Sequence, residues 1–296
     1  MSELVGSKVA VLGAGIMGSG IAQLSAMAGY EAVARDVDER QLAAAKASTD
    51  RSLARFAKAG RLAAAEVEAV QSRLSFTTEH ERALDGADVV IEAVPEILDL
   101  KHSVWTEVLA SAPAHALLGT NTSQLSITSI AAVLGEQAPR LVGIHFFNPP
   151  VMMRLIELIA GLETSPAEID RARVYGASVD REVVVCRKDS PGFITSRAYA
   201  ILRLECVRML EEGVATAEDI DKAMRLGFNF PMGPLELGDM NGVDTYVHVI
   251  SGLADAFGER FRPTVGLRNM IAANRLGRKT GHGFYAYDEN GNRVTD

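Results

Sequence analysis

The sequence predicts an α/β domain on a doubly wound, mostly parallel sheet, followed by an all-α domain. Three observations carry this. Short apolar runs alternate with helical patterns as far as about residue 187. The first of these runs opens directly into a glycine-rich turn and a helix of small residues. Beyond the break at Asp189, Ser190, Pro191 and Gly192, only helical periodicity remains.

Residues 8–12 form a short apolar run, hence a strand. The turn Gly13-Ala14-Gly15-Ile16-Met17-Gly18 follows, then a helix to Met27 that Gly29 closes. Residues 31–35 read as a second strand ending at Asp36, which completes a βαβ unit. A helical excursion occupies 38–74, with one helix stopped by Gly60 and a second near 64–73. Strands return at 88–92, 116–119, 141–145, 154–159 and 182–187, separated by helices. The helix after Ser165 has Pro166 at its first position and Glu168 in capping-box spacing. Helical periods then cover 193–212, 217–226, 233–240, 243–257 and 264–276, with Thr216 and Asp219 as a helix start. The expected domains are 1–187 and 188–296.

A length of 296 residues, 48% of them hydrophobic, gives two ordinary domains enough apolar surface for a core each. The formal net charge of −8 makes the chain a poor general binder of nucleic acid or anionic membrane. Its two cysteines, Cys186 and Cys206, stand far apart in no metal spacing, as buried thiols of a reducing compartment do. No apolar run approaches the ~18 residues of a membrane span. A first strand starting at Lys8 leaves no room for a secretory signal. Cytoplasm is the expected location, and no metal is expected.

The glycine pattern acquires meaning from its context between a strand and a helix, with an acid at the end of the next strand. Gly13 permits the tight turn, Gly15 lets backbone approach a pyrophosphate, and Gly18 lets helix pack on strand. This is the start of a Rossmann-type dinucleotide site, with Gly13, Gly15, Ile16, Met17 and Gly18 around the phosphates. Asp36, 18 residues past Gly18, is placed to accept from an adenosine ribose, which favours NAD over NADP. Arg35 beside it is able to offset that preference.

His145 ends one apolar run, and Glu157 lies inside another, on a strand face with Leu155 and Ile159. A lone carboxylate there would cost roughly several kcal/mol to desolvate, so it needs a partner. A histidine from a neighbouring strand end supplies one, and a His–Glu pair in a cleft is a general base for work near neutral pH. On the excursion, Arg51, Arg55 and Lys58 share a helix face with Arg61 just beyond. That stripe is either a solvated face pairing with nearby acids or a contact for phosphates.

These motifs resemble the L-3-hydroxyacyl-CoA dehydrogenase family, 3-hydroxybutyryl-CoA dehydrogenases included, over residues 8–287. The resemblance rests on GAGIMGSGIAQ, IEAVPE, NTSQLSIT, GIHFFNPP with LIELI, DSPGFI, GVATAEDIDKAM, PMGPLEL and RKTGHGFY. It implies an NAD-binding first domain, a helical domain that makes a homodimer, and an acyl-CoA substrate, most simply a short-chain one. It implies that His145 takes the proton of the 3-hydroxyl, that Glu157 orients it, and that Ser123 binds near the nicotinamide and the reacting oxygen. Asn148, Glu96, Lys101 and Lys279 stand at positions of cofactor contacts. Ser52 and Lys58 loosely match residues at the coenzyme A, with Arg55 between them. One departure is Ser196, in PGFITSR, where the family carries an asparagine whose amide touches substrate; a serine reaches less far. Without the resemblance, Ser123 is equally a helix-start residue beside Ser126 and Thr128. Two other readings remain at this point: a dehydrogenase of a free hydroxy acid of the gulonate type, which carries HPxNPP rather than HFFNPP, and a non-catalytic NAD-binding relative.

Overall fold

The computed structural model describes residues 7–294, which divide into two compact units, one running to Ser190 and one from Pro191. The first unit holds, among the described residues, an eight-stranded sheet. Its strands are β1 (Lys8–Leu12), β2 (Glu31–Arg35), β3 (Leu74–Thr77), β4 (Ala87–Glu92), β5 (Leu117–Thr120), β6 (Leu141–Phe146), β7 (Leu155–Ala160) and β8 (Glu182–Cys186). Their order is β3-β2-β1-β4-β5-β6-β7-β8, and every pairing is parallel except that of β6 with β7. The chain leaves β3 and crosses back to β4 on the far side of β1. That reversal of strand order opens a crevice at the carboxyl ends of β1 and β4, where open α/β sheets take their ligands.

Helices α1 (Ile16–Met27), α2 (Glu39–Lys58), α3 (Ala64–Arg73), α4 (His80–Leu84), α5 (Leu98–Ser111), α6 (Ile127–Ala131) and α7 (Pro166–Ser178) complete this unit. With helices over the sheet, central strands are buried on both sides. That is why β1 and β4 read as continuous apolar runs rather than alternating ones. Each fully buried Val, Leu or Ile contributes about 1.5–3 kcal/mol. Helix α1 is made of small residues because Gly18, Ser19, Ala22 and Ala26 press against neighbours with almost no exposed surface.

One local expectation is corrected. Ser165 does accept from the Glu168 N–H, but the return half of the capping box is absent: the Ser165 N–H donates to the Pro139 carbonyl and the Glu168 carboxylate turns to Arg171. The chain divides after Ser190, and Asp189 is tied into the first unit by the Ser126 hydroxyl (2.5 Å) and the Thr128 N–H (2.8 Å).

The second unit contains α8 (Thr195–Glu211), α9 (Ala217–Phe228), α10 (Pro234–Asn241), α11 (Val243–Phe257) and α12 (Val265–Ala272). Leu204, Val207, Ile220, Leu235, Ile250, Leu253 and Phe261 form its core. Helix α12 stops at Ala272 rather than continuing to 276, because Asn274 takes a left-handed conformation (φ 54°). From 277 on, the described residues form no α-helix, only a 3-10 turn at Arg278–Thr280. The chain folds back on itself through bridges Gly277–His282, His282–Ala286 and Tyr287–Arg293. The buried carboxylate of Asp239 secures this tail, accepting from Phe284 N, Tyr285 N and Tyr287 Oη.

Candidate active site

The glycine turn is shaped by three different constraints. Gly13 has φ +100°, and a Cβ there would meet Ala93 backbone at 2.7 Å, so the turn nestles against the end of β4. A Cβ on Gly18 would fall 1.8 Å from the Gly13 carbonyl oxygen. Gly15, by contrast, has ordinary φ (−65°) and nothing within 4 Å of its would-be Cβ. Its open face lies where α1 begins, and α1 has neither a side-chain cap nor an acidic residue in its first turn. Uncapped N–H groups and the positive end of the helix dipole therefore point at that space, which suits a pyrophosphate. Ile16 is exposed and Met17 half-buried beside it.

Asp36 accepts from the Ala14 N–H (2.8 Å) through one oxygen and from the Val37 N–H (2.8 Å) through the other, which fixes its carboxylate at the edge of the turn. Gln41 braces the same turn from α2 by donating to the Ala14 carbonyl (3.1 Å). Arg35 directs its Nε to the Thr78 carbonyl (3.4 Å). The residues present thus fit an adenine dinucleotide: a phosphate cradle a side chain would fill, and a carboxylate at the ribose position.

His145 and Glu157 are direct cross-strand partners on β6 and β7. Residues opposite each other in an antiparallel pair share a face, so the register brings the side chains together. Nδ1 of His145 lies 2.9 Å from Oε2 of Glu157, with 5% and 0% of the residues exposed. A carboxylate accepts at Nδ1–H, so the neutral ring carries its lone pair on Nε2. The end of β6 is fixed by Asn121, whose side-chain oxygen accepts from the Phe146 N–H (2.9 Å). The loop after β6 carries exposed Asn148 and packs Pro150 against α1; a Cβ on Gly20 would meet the Pro150 ring at 2.8 Å. The histidine strand and the dinucleotide helix are thereby locked at one end of the sheet.

A second buried acid, Glu92 at the end of β4, was not singled out from the sequence. It accepts from Lys101 Nζ (2.7 Å), the Thr120 hydroxyl (2.7 Å) and the Val94 N–H (2.8 Å). Lys101 also reaches Glu96 (3.3 Å) and the Val94 carbonyl (3.3 Å). Lys101 is 1% exposed, and Glu92, Glu96 and the Val94 carbonyl surround its ammonium. Glu96 in turn accepts from Thr122 Oγ1 (2.5 Å) and from the N–H groups of Ser123 and Gln124 (both 2.9 Å). Burial pushes its carboxyl pKa up, but the Lys101 charge and these hydrogen bonds outweigh that and leave it below the usual value. Glu96 thus pins the turn that holds the exposed Ser123.

Between α1, α2 and the 149–152 loop lies a cavity of about 520 Å³. Ser52, Arg55, Arg61, Pro149 and Met152 are among its lining residues. Lys58 is not, although it is exposed on the same helix. Arg61 takes that place and also approaches the Met152 sulfur (3.6 Å). In the second unit, Lys279 pairs with Asp244 (2.6 and 2.7 Å), and that hydrogen bond holds the Asp244 carboxyl below its ordinary pKa. Ser196 lies in the first turn of α8, beside a small cavity of that unit. Among the described residues no cluster of His, Cys, Asp and Glu is able to hold a metal ion.

Residues 8–190 match the family model described as 3-hydroxyacyl-CoA dehydrogenase, NAD binding domain, and residues 192–287 match the C-terminal domain of the same family. A probable 3-hydroxybutyryl-CoA dehydrogenase of Bacillus subtilis is 38% identical over 95% of this chain and 98% of its own length. A mitochondrial hydroxyacyl-coenzyme A dehydrogenase of Rattus norvegicus is 38% identical over 94% of this chain and 90% of its own. The crystal structure of (S)-3-hydroxybutyryl-CoA dehydrogenase from Ralstonia eutropha superposes with a TM-score of 0.91 at 37% identity, covering 95% of this chain and 99% of that one. With both units matched in order and the dinucleotide turn intact, the chain belongs to the 3-hydroxyacyl-CoA dehydrogenase family, with NAD as its cofactor.

Proposed function

We propose that this protein oxidises the 3-hydroxyl of a short-chain (S)-3-hydroxyacyl-CoA to the 3-oxo thioester, reversibly. The observation that carries the reading is the buried His145–Glu157 pair beside the dinucleotide end of the sheet. Bound NAD supplies the acceptor for the hydride that leaves C3. His145 takes the hydroxyl proton on Nε2, and Glu157 fixes the ring and stabilises the imidazolium that results. Ser123, on the turn pinned by Glu96, offers a hydroxyl to the reacting oxygen and the nicotinamide. Asn148 and Lys279 stand as further cofactor contacts. Arg55 and Arg61, with Ser52, supply the positive wall for the phosphates of coenzyme A, and Lys58 adds charge from outside the cavity.

General-base assistance of this type is worth ~10²–10⁴-fold in rate. Acetoacetyl-CoA reduction followed by NADH absorbance tests the reading. The wild type turns over, and His145→Gln loses about 10²-fold or more while binding NADH normally. Turnover of His145→Gln within a few-fold of wild type sinks the assignment of the base.

A homodimer through the helical unit suits Leu226 and Phe228, which stand exposed at the end of α9. A stable monomer in light scattering contradicts it. Among the described residues no helix is long and apolar enough to cross a membrane. Cys186 and Cys206, both buried thiols, suit a reducing compartment such as the cytoplasm.

A further inference from the structure

Two buried charged groups of the first unit have no part in the chemistry proposed above. Glu92, the last residue of β4, has no exposed surface, and Lys101, near the start of α5, has 1%. A cation is poorly placed there, because the positive end of the helix dipole lies close by and water is excluded. Two acids compensate it, Glu92 at 2.7 Å and Glu96 at 3.3 Å. Glu92 also accepts from the Thr120 hydroxyl (2.7 Å) and the Val94 N–H (2.8 Å), so every polar neighbour it has is a donor.

One ammonium between two carboxylates leaves one negative charge over. Glu96, whose side chain is 36% exposed, is the one of the two that also draws donors from the neighbouring turn. These are the Thr122 hydroxyl (2.5 Å) and the N–H groups of Ser123 and Gln124 (both 2.9 Å). Asn121, just before them, accepts from the Phe146 N–H (2.9 Å), one position past His145 on β6. The segment 120–124 is therefore gripped in order along its length. Glu92 holds Thr120, β6 holds Asn121, and Glu96 holds Thr122 to Gln124. Thr120 lies opposite Gly143 in the β5–β6 pairing, which ties the same segment to the histidine strand a second time. Hydrogen bonds to charged acceptors are the stronger kind, and in a buried network each depends on its neighbours.

We propose that Glu92 is a positioning residue of the reaction. Through Lys101 and Glu96 it fixes the turn that presents the Ser123 hydroxyl, and through Thr120 it keeps that turn in register with the strand carrying His145. The inference rests on the dehydrogenase reading, in which Ser123 offers its hydroxyl to the reacting oxygen. Glu92 is enclosed by protein and acts only through these neighbours.

The test is a double-mutant cycle read by turnover and by hydrogen exchange. Glu92→Gln keeps the side chain's size and removes the charge that holds Lys101. It lowers kcat for acetoacetyl-CoA reduction by about tenfold or more, as a small displacement of a reacting group does. Ser123→Ala alone lowers kcat by about 10²-fold. Added to Ser123→Ala, Glu92→Gln costs less than about twofold more, because the hydroxyl it positions is already gone. Exchange of the Ser123 and Gln124 amides speeds by about tenfold or more in Glu92→Gln, while amides of β2 and β7 stay protected. Glu92→Leu combined with Lys101→Met removes both charges and leaves no unpaired buried ion, so it serves if Glu92→Gln fails to fold, and it gives the same coupling and the same local exchange. Equal kcat losses with and without the Ser123 hydroxyl, or unchanged exchange at Ser123 and Gln124, overturn the inference and leave the dehydrogenase reading standing. Exchange that accelerates throughout the sheet also overturns it, since that marks lost stability rather than lost position. Turnover of Ser123→Ala within a few-fold of wild type removes Ser123 from the dehydrogenase reading and overturns the inference with it.

Discussion

Replacing Glu157 by Gln is the most direct probe of the proposed His145 base. The pair is short (2.9 Å) and neither residue is more than 5% exposed, so water contributes little to it. A hydrogen bond to a charged group is worth about 1.5–3 kcal/mol, against about 1 kcal/mol for a neutral one. The amide keeps an acceptor for Nδ1–H, so the tautomer survives and only the charge assistance is lost. That loss is felt when the ring becomes imidazolium, and the difference of about 0.5–2 kcal/mol predicts a fall in kcat of about 2- to 30-fold at 1.36 kcal/mol per decade. Folding responds in the opposite sense. A neutral amide is cheaper to bury than a carboxylate, so Tm stays level or rises. Steady-state reduction of acetoacetyl-CoA, NADH titration by fluorescence and a thermal melt separate these effects. A change in kcat of less than twofold, or a kcat loss matched by an equal loss of NADH affinity, refutes the reasoning.

Three further outcomes follow from the same geometry. Gly15→Ala leaves Tm nearly unchanged, because its Cβ meets nothing, yet weakens NADH binding about tenfold or more by standing where a phosphate approaches; Gly18→Ala instead destabilises the fold itself by about 1–3 kcal/mol, since its Cβ overlaps the Gly13 carbonyl. Calorimetry of both distinguishes a ligand glycine from a packing glycine, and similar melting losses in the two variants contradict the distinction. Glu96 has its folded pKa below the ordinary 4.5, so its contribution to stability is present above that value and is lost as pH falls through the folded one. Glu96→Gln therefore flattens the acid limb of the stability profile in chemical denaturation series, and an unchanged limb argues against the Lys101–Glu96 pairing. Arg55→Ala with Arg61→Ala raises KM for the CoA thioester at least about tenfold more than for the matching pantetheine thioester, while Lys58→Ala does less. Equal effects on both thioesters remove those arginines from the phosphate site.

The parts legible in the sequence are those where one physical constraint dominates. Strands buried on both faces are written as unbroken apolar runs, and the glycine turn is written by clashes that only a missing Cβ avoids. The pairing of His145 with Glu157 follows from the cost of a carboxylate in an apolar strand. The same signal stood at Glu92, inside the run ending β4, and points to a hidden cation there. Lys101 is hard to identify as that cation because helical spacing alone does not tell a buried lysine from an exposed one. Strand β3 escaped notice for a different reason: it is four residues long, half-buried for most of its length, and follows directly on a helix. The tail beyond 277 holds itself by bridges and by Asp239, a long-range anchor that leaves no periodic trace.

The reversal of direction between β6 and β7 has an effect on how the enzyme is able to change. Base and acid are each rooted in sheet backbone, and the segment joining them, 147–154, leaves the sheet and returns. That segment supplies one wall of the larger cavity through Pro149, Pro150, Val151 and Met152. On the proposed reading, proton abstraction and ligand fit are thus carried on separate stretches of chain. Mutation is free to remodel the wall, in length as well as composition, while strand register keeps His145 and Glu157 face to face.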